Sequence, residues 1–386
     1  MTKGKNPQTT REYNQALILS LIAKHSAISR VDLARLGKLS KPVVTSIVDN
    51  LMAAGLVKEG PKAESTVGRR PVMLHITEDF YRIIGIDLSR DHITLVVTTL
   101  TGEIRQRISE SLDVENTQSA KHEITDAVLD MVNRTKLDRK QIVGVGVAHP
   151  FPLSSSRKLI VANQDVGDWK AVKLGEELSD VLGVPVHLDN DANLAAMHER
   201  WYGRARKISD FVYVLIGNGV GAGIYNNGRL VRGHLGFAGE IGHIVVTPGG
   251  EQCVCGNRGC LETEISLRRF DRLEEEAASN RDLEEKINQY ALRLGRHLGN
   301  IVNIFNPQAL IIGGAFVSEA RIPREVVERA VYEAVHPVLR STLQLMFVED
   351  VPDNVAKGAA SLVGLYAYRQ PHRYFPNLSQ SNNRQP

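Results

Sequence analysis

Three cysteines and one histidine carry the strongest chemical signal in this sequence. All three cysteines of the 386-residue chain lie in one run, Cys253-Val-Cys255-Gly-Asn-Arg-Gly-Cys260, and His243 sits ten residues ahead of it. One imidazole nitrogen and three thiolates make a closed tetrahedral set for Zn²⁺. Gly256 and Gly259 supply the positive φ that a tight knuckle between thiolates needs. A disulfide fits poorly, because three is an odd count and nothing marks the chain as secreted. Carboxylates bracket the cluster: Glu240 precedes His243 and Glu262 follows Cys260.

A second chemistry sits at the N-terminus. Residues 1–75 hold 12 Lys/Arg against 5 Asp/Glu, whereas the remainder holds 35 against 39. A basic block on a slightly acidic body points to a polyanionic partner for that block alone. Its pattern predicts three helices. The first covers the apolar face of Ala16, Leu17, Leu19, Ile22 and Ala23. The second runs from Val31 to Leu36, opened by a Ser29/Asp32 capping box and ended by Gly37. The third is capped by Ser40, with Pro42 in its first turn. It turns Val44, Ile47, Val48 and Leu51 inward and shows Lys41, Thr45, Ser46 and Asp49 outward. Two strands follow, one beginning near Gly55 and one over Val72–His75, with Arg69 and Arg70 in the turn between them. Three helices and a hairpin make a winged helix–turn–helix. The outward face then suits the DNA major groove, and the arginines suit the minor groove or the phosphates. Ser40, Lys41, Thr45, Ser46, Arg69 and Arg70 are the DNA-binding candidates.

The rest of the chain must position the metal cluster. Strands at 82–88, 92–100 and 103–108, with a Thr101-Gly102 turn, predict an antiparallel meander. A helix near 118–135 and a buried strand at 142–148 come next. Strand and helix then alternate through 184–188, 191–203 and 211–216. Helix 284–304 leads into the strand Ala309-Leu-Ile-Ile and the turn Gly313-Gly314. This is an α/β body with two sheets, large enough for two lobes around a cleft. No run approaches eighteen apolar residues, which argues against a membrane span. The N-terminus lacks the apolar core of a signal peptide, so a cytoplasmic location is expected.

The motifs Leu188-Asp-Asn190-Asp191-Ala-Asn193, Gly239-Glu240-Ile-Gly-His243 and the cysteine knuckle closing on Leu261-Glu262 resemble those of the ROK (repressor, open reading frame, kinase) family. The winged block matches its sugar-responsive repressor branch, and the resemblance spans essentially the whole chain. It implies an α/β actin/hexokinase-like two-lobed body and a sugar pocket lined by Asn190, Asp191, Glu240, His243 and Glu262. His243 would then serve metal with one ring nitrogen and sugar or a carboxylate with the other. In kinases of this fold the residue matching Asp191 is the general base. Their Gly-Gly-Thr phosphate turn reads Asp87-Leu88-Ser89-Arg90-Asp91-His92 here, with both glycines gone and Asp91 adding negative charge. Gly217–Gly223 and Gly313-Gly314 still resemble the other nucleotide turns. The expected function is therefore a sugar-released repressor of carbohydrate-use genes, not an enzyme. The alternatives are a sugar kinase with an attached DNA-binding domain and a repressor induced by a protein partner.

The expected organisation is a DNA-binding domain at 1–75, a first lobe at 76–188 completed by helix 355–370, and a second lobe at 189–354. The polar residues 371–386 are expected to be disordered. One winged domain reads half an operator, so a homodimer or a dimer of dimers on double-stranded DNA is expected.

Overall fold

The computed structural model describes residues 7–62, 71–89, 92–111, 120–150, 153–154, 159–160, 174–319, 322–349 and 353–380. The N-terminal block is α1 (Pro7–His25), β1 (Ile28–Ser29), α2 (Arg30–Gly37), α3 (Lys41–Ala53), β2 (Val57–Lys62) and β3 (Val72–Ile76). Its sheet has the order β1-β3-β2, antiparallel throughout. The Ser29 hydroxyl accepts from the Asp32 amide, as a cap should. α2 ends at Gly37, as expected, and the left-handed residue after it is Lys38 (φ 53°). One local expectation needs correction. Ser40 occupies the cap position of α3 but makes no side-chain cap bond. Pro42, which has no N–H to satisfy, relieves that need.

The body writes one topology twice. In the first sheet, β4 (Arg82–Leu88), β5 (His92–Thr98) and β6 (Ile104–Ser111) form an antiparallel meander. Helix α4 (Ala120–Arg134) crosses over to β7 (Ile142–His149), which lies parallel to β4. A small ribbon pairs β8 (Leu153–Ser154) with β9 (Leu159–Ile160). Helix α5 (Leu174–Leu182) then leads to β10 (Val186–Asn190), parallel to β7, and α6 (Asp191–Trp201) follows. The second sheet repeats this with β11 (Phe211–Ile216), β12 (Val220–Asn226) and β13 (Arg229–Leu230) as its meander. After α7 (Leu261–Ile265) and α8 (Leu267–Glu275), the long α9 (Asn280–Phe305) crosses to β14 (Ala309–Gly313). Then come α10 (Ala315–Glu319), α11 (Arg324–Ala334), α12 (Pro337–Arg340), β15 (Gln344–Phe347) and α13 (Asn354–Arg369). Strands β14 and β15 continue the sheet in parallel.

The two closing helices exchange sheets. α6 follows the first sheet yet packs on β11 and β12 of the second, while α13 follows the second and packs on β4 and β7 of the first. They also pack on each other. A lobe boundary at 188/189 falls inside β10, because Asp189 and Asn190 still pair in register with Ala148 and His149 of β7.

Head and body share one core. Leu19, Ile22, Leu33, Val44, Val48, Leu51, Leu56 and Leu74 are fully buried. They belong to a cluster that also contains Tyr81, Ile83, Leu100, Val363, Tyr368, Phe375 and Leu378 of the body. The Tyr368 hydroxyl donates to the Leu100 carbonyl at 2.6 Å. The expectation of a disordered tail is wrong for residues 371–380. They form α14 (Pro371–Tyr374) and α15 (Pro376–Gln380), and both Phe375 and Leu378 are wholly buried. Pro371, Tyr374, Phe375 and Leu378 fall at i, i+3, i+4 and i+7, an apolar stripe that overrides the polar average. Tyr374 also shares a 2.6 Å hydrogen bond with His187. Residues 381–386 lie outside the described residues. No helix among the described residues is long and apolar enough to cross a membrane.

Candidate functional site

The ligand atoms of His243, Cys253, Cys255 and Cys260 all lie within 4.8 Å of one another. Cys253 Sγ is 3.6 Å from His243 Nδ1, and Cys255 Sγ is 3.6 Å from Cys260 Sγ. A tetrahedron with Zn–S near 2.3 Å and Zn–N near 2.1 Å has edges of about 3.5–3.8 Å, so these separations suit the ion. The loop is held by backbone bonds, including Cys253 N to Asn257 O at 2.8 Å and Leu261 N to Ile244 O at 2.8 Å. Gly256 and Gly259 adopt φ of 94° and 75°, the conformations their residue type allows. Burial pushes the Cys260 thiol up to about 12 and the Cys253 thiol upward. A cation between them would offset that cost and let these two thiols ionise. The donor set therefore fits a metal ion.

This loop delivers carboxylates to one place. Gly239 crosses β12 with φ 100°, and a Cβ there would stand 1.9 Å from the Ala222 carbonyl oxygen. Its own carbonyl accepts from Ala222 N at 2.8 Å, which fixes the next residue, Glu240. Cys260 is the cap residue of α7, so the last thiol and Glu262 share one helical turn. Glu262 Oε2 accepts from Val220 N at 3.1 Å. Asp191 opens α6, its carboxylate accepting from Ala192 N at 2.7 Å. Burial, with the nearby charges of Asp191 and Glu262, raises the Glu240 carboxyl to about 7. His243 turns Nδ1 to Cys253 and Nε2 to Glu240, 3.9 Å from its Oε2.

Asp191, Glu240, His243 and Glu262 thus meet at one site. Asn190 stands beside them in a mixed role. Its Oδ1 caps α6, accepting from Ala192 N (3.0 Å) and Asn193 N (3.4 Å), which leaves its Nδ2 for a ligand. Sequence reasoning missed the support beneath it. Buried Asp189 accepts from Asn190 N at 2.9 Å and from Asn193 Nδ2 at 3.1 Å, and it pairs with Arg232. The signal was the second acid of Leu188-Asp-Asn-Asp191: Asp189 is the one buried residue of β10, and a buried carboxylate calls for such a cation.

On the opposite strand ends, Asp87 is buried, and Ser89 N donates to His92 O at 2.9 Å. Arg90 and Asp91 fall outside the described residues. The retained glycine turns have packing reasons. A Cβ at Gly223 would stand 2.3 Å from Ala196 Cβ of α6, and one at Gly314 would stand 2.3 Å from Ile216 O.

On the head, Lys41, Pro42, Thr45, Ser46, Asp49 and Asn50 line one concave surface along α3. Val44, Ile47, Val48 and Leu51 are buried behind it. Ser40 is exposed, with no capping duty to hold its hydroxyl. Asp49 would repel DNA, but Arg30 pairs with it at 3.3 Å while also holding Glu59 at 2.6 Å. Thr45 is exposed, and its Oγ1 donates to Lys41 O at 3.0 Å. Arg69 and Arg70 fall outside the described residues.

Fold and site define a class: a winged-helix DNA-binding head on an actin/hexokinase-like two-lobed body. Residues 83–365 match the model of the ROK family, and residues 9–69 match that of the MarR family. The chain belongs to the ROK family. It is 30% identical over 366 residues to the xylose repressor of Bacillus spizizenii, covering 91% of this chain and 94% of that protein. It is 27% identical over 387 residues to the DNA-binding transcriptional dual regulator NagC of Escherichia coli, covering 93% and 94%. Among solved structures, a ROK family transcriptional regulator described as a homolog of the E. coli MLC protein aligns with a TM-score of 0.79 at 24% identity, over 95% of this chain and 99% of that one. A ROK family glucokinase from Streptomyces griseus aligns with a TM-score of 0.61 at 22% identity, over 73% of this chain and 98% of the kinase.

Proposed function

We propose that this chain is a sugar-responsive transcriptional repressor of carbohydrate-use genes, released from double-stranded operator DNA by a neutral sugar. The observation that carries the reading is the meeting of Asp191, Glu240 and Glu262 beside a His/Cys₃ cluster, in a chain that also presents an exposed helix–turn–helix face. Carboxylates accept hydrogen bonds from sugar hydroxyls, and three of them together disfavour an anionic ligand. Asn190 and His243 complete the pocket. Zn²⁺ on His243, Cys253, Cys255 and Cys260 braces the loop that carries Glu240 and Glu262. Ser40, Lys41, Thr45 and Ser46 meet the major groove, and Arg69 and Arg70 reach the minor groove or the phosphates from the wing. The protein works in the cytoplasm as a homodimer or dimer of dimers, because one head reads one half-site.

Kinase turnover is absent in this reading. Phosphoryl transfer depends on positioned charge stabilisation, and Ser89-Arg90-Asp91 replaces one of its two phosphate cradles.

The test takes the full chain, a DNA site selected from a random pool, and D-xylose, N-acetyl-D-glucosamine and D-glucose. One sugar should raise the melting temperature and weaken DNA binding by about 5- to 150-fold, the usual span of allosteric coupling. Asp191→Asn and Glu262→Gln should keep DNA binding and lose the response. A sugar that binds without changing DNA affinity would show that the pocket is not the sensor and shift the role of inducer to a protein partner.

A further inference from the structure

A second cavity, of about 1750 Å³, lies between head and body. The last turn of α1, the body end of the β2–β3 hairpin, the turn at Leu100–Glu103, the end of α6, the β12–β13 hairpin and α13 all contribute to it. Its charge is one-sided, with five arginines and four lysines against two glutamates. Both glutamates are already engaged by Arg105, Glu103 at 2.9 Å and Glu78 at 3.9 Å.

On the body side the cations converge. Arg200, Arg232 and Arg369 line the cavity together with Tyr225, on whose phenol all three act electrostatically, as Asp189 does. Asp189 is spent on Arg232. Arg200 donates through Nη1 to Arg206 O at 2.6 Å, and its Nε is buried with no acceptor. No carboxylate pairs with Arg200 or Arg369 among the described residues. Arg200 and Arg369, guanidinium groups held in one cavity without a counter-ion, cost free energy unless an anion joins them. Arg also has the planar fork that matches phosphate oxygens. Trp201 and Tyr366 supply flat apolar wall beside it.

Operator DNA is a poor occupant. Lys58 and His75, the hairpin residues in the wall, pair across β2 and β3 at the end away from the wing tip. The outward face of α3 contributes nothing to this cavity and lines a separate surface. The volume exceeds the roughly 300–1000 Å³ of common small-molecule sites, leaving room for a ligand and water.

We propose that this cavity is a second effector site, which takes a phosphomonoester on Arg200, Arg232 and Arg369 and fixes the seat of the head on the body. It is distinct from the carboxylate pocket at Asp191, whose charge would repel such a ligand.

Calorimetric titration of the full chain tests it at constant ionic strength. The probes are inorganic phosphate, fructose 6-phosphate and AMP, with fructose and adenosine as neutral counterparts. Expected is saturable binding of one phosphomonoester per chain and none of its neutral counterpart. Preference for fructose 6-phosphate or for AMP separates a sugar phosphate from a nucleotide. Arg369→Gln, an exposed change that leaves the fold intact, and Arg200→Gln should each weaken binding about tenfold or more, the loss of one charge-assisted hydrogen bond. Lys286→Gln, outside the cavity, should leave it unchanged. Amide exchange in the last turn of α1 should slow when the ligand binds. Absence of saturable binding by all three probes would overturn the proposal. So would equal affinity in the parent and both arginine variants, or an equal loss with Lys286→Gln.

Discussion

Gly358→Ala puts a methyl group where two helices touch backbone to backbone. In the present geometry its Cβ would stand 2.0 Å from the Leu194 carbonyl oxygen and 2.6 Å from the carbonyl carbon. α13 cannot simply withdraw from α6. On its other side Gly85 of β4 and Gly146 of β7 are pressed against it, each so close that a Cβ would lie 1.9 Å from the Ala356 or the Ala359 carbonyl oxygen. Relief requires α6 and α13 to part by roughly 1–1.5 Å, at the overpacking cost of about 1–3 kcal/mol. For a chain of this size unfolding as one unit that is a fall of roughly 1–4 °C in melting temperature. The functional consequence follows from position. α6 begins at Asp191 in the carboxylate pocket, and α13 packs against α1 of the head. Parting the two helices should leave sugar binding and DNA binding each within a few-fold of the parent while shrinking the effect of one on the other. Calorimetric melting and DNA titrations with and without sugar measure both. An unchanged melting temperature would refute the packing argument. A lowered one with full sugar response would show that the α6–α13 contact does not carry the coupling.

Phe375→Ala should destabilise by about 3–5 kcal/mol, because the ring is wholly buried and edge-on to Tyr81 at 5.0 Å; chemical denaturation checks it, and faster amide exchange in α14 should accompany it. Cys255→Ser should release zinc and end sugar binding while leaving the head's affinity for DNA, as metal analysis and a sugar thermal shift would show. Lys41→Gln should weaken binding to all DNA sequences and reduce the salt slope by about one, whereas Thr45→Ala should alter sequence preference. Burial first, then the charge of Lys357, lowers His198 to about 4, so the unfolded chain binds the extra proton between about pH 4 and 6.5. The His198 contribution to stability should therefore rise with pH across that window, by about 3 kcal/mol in all, against an opposite slope from the raised Glu240 carboxyl. His198→Gln should flatten that slope in denaturation measured from pH 4 to 7.

Legibility in the sequence followed sequence distance. The His/Cys₃ cluster was readable because Cys253, Cys255 and Cys260 are near neighbours and turn glycines separate them. The α3 face was readable because a helix repeats its inward residues at fixed spacing. Even there the cap chemistry misled: Ser40 has cap geometry without a cap bond, since Pro42 had removed the need. Residues 371–380 were misread because polarity was averaged over the tail, which hid the four-residue apolar stripe. The exchange of α6 and α13 between sheets has no local signature, since it is decided by which sheet lacks cover. Arg200, Arg232 and Arg369 belong to three separate segments, and no spacing rule brings them together.

The two ends of α6 show how charge is distributed about one rigid element. Its N-terminus carries the positive end of the helix dipole, and there stands Asp191 with Glu240 and Glu262 nearby. Its C-terminus carries the negative end, and there stands Arg200, with Arg232 and Arg369 brought up from other segments. The carboxylates and arginines are each placed where the dipole favours them, so their accumulation costs less than it would elsewhere. One end is then suited to a neutral polyol that donates hydrogen bonds, and the other to an anion that accepts them. Both ligands would act on the same helix pair, and α13 carries that pair's position to the head. Linkage then makes the relation reciprocal: whatever factor the phosphomonoester applies to sugar affinity, the sugar must apply to the phosphomonoester. Each can shift the head only by its differential affinity for the two arrangements. On that proposal, a repressor so built would weigh two chemically unlike signals through one contact between α6 and α13.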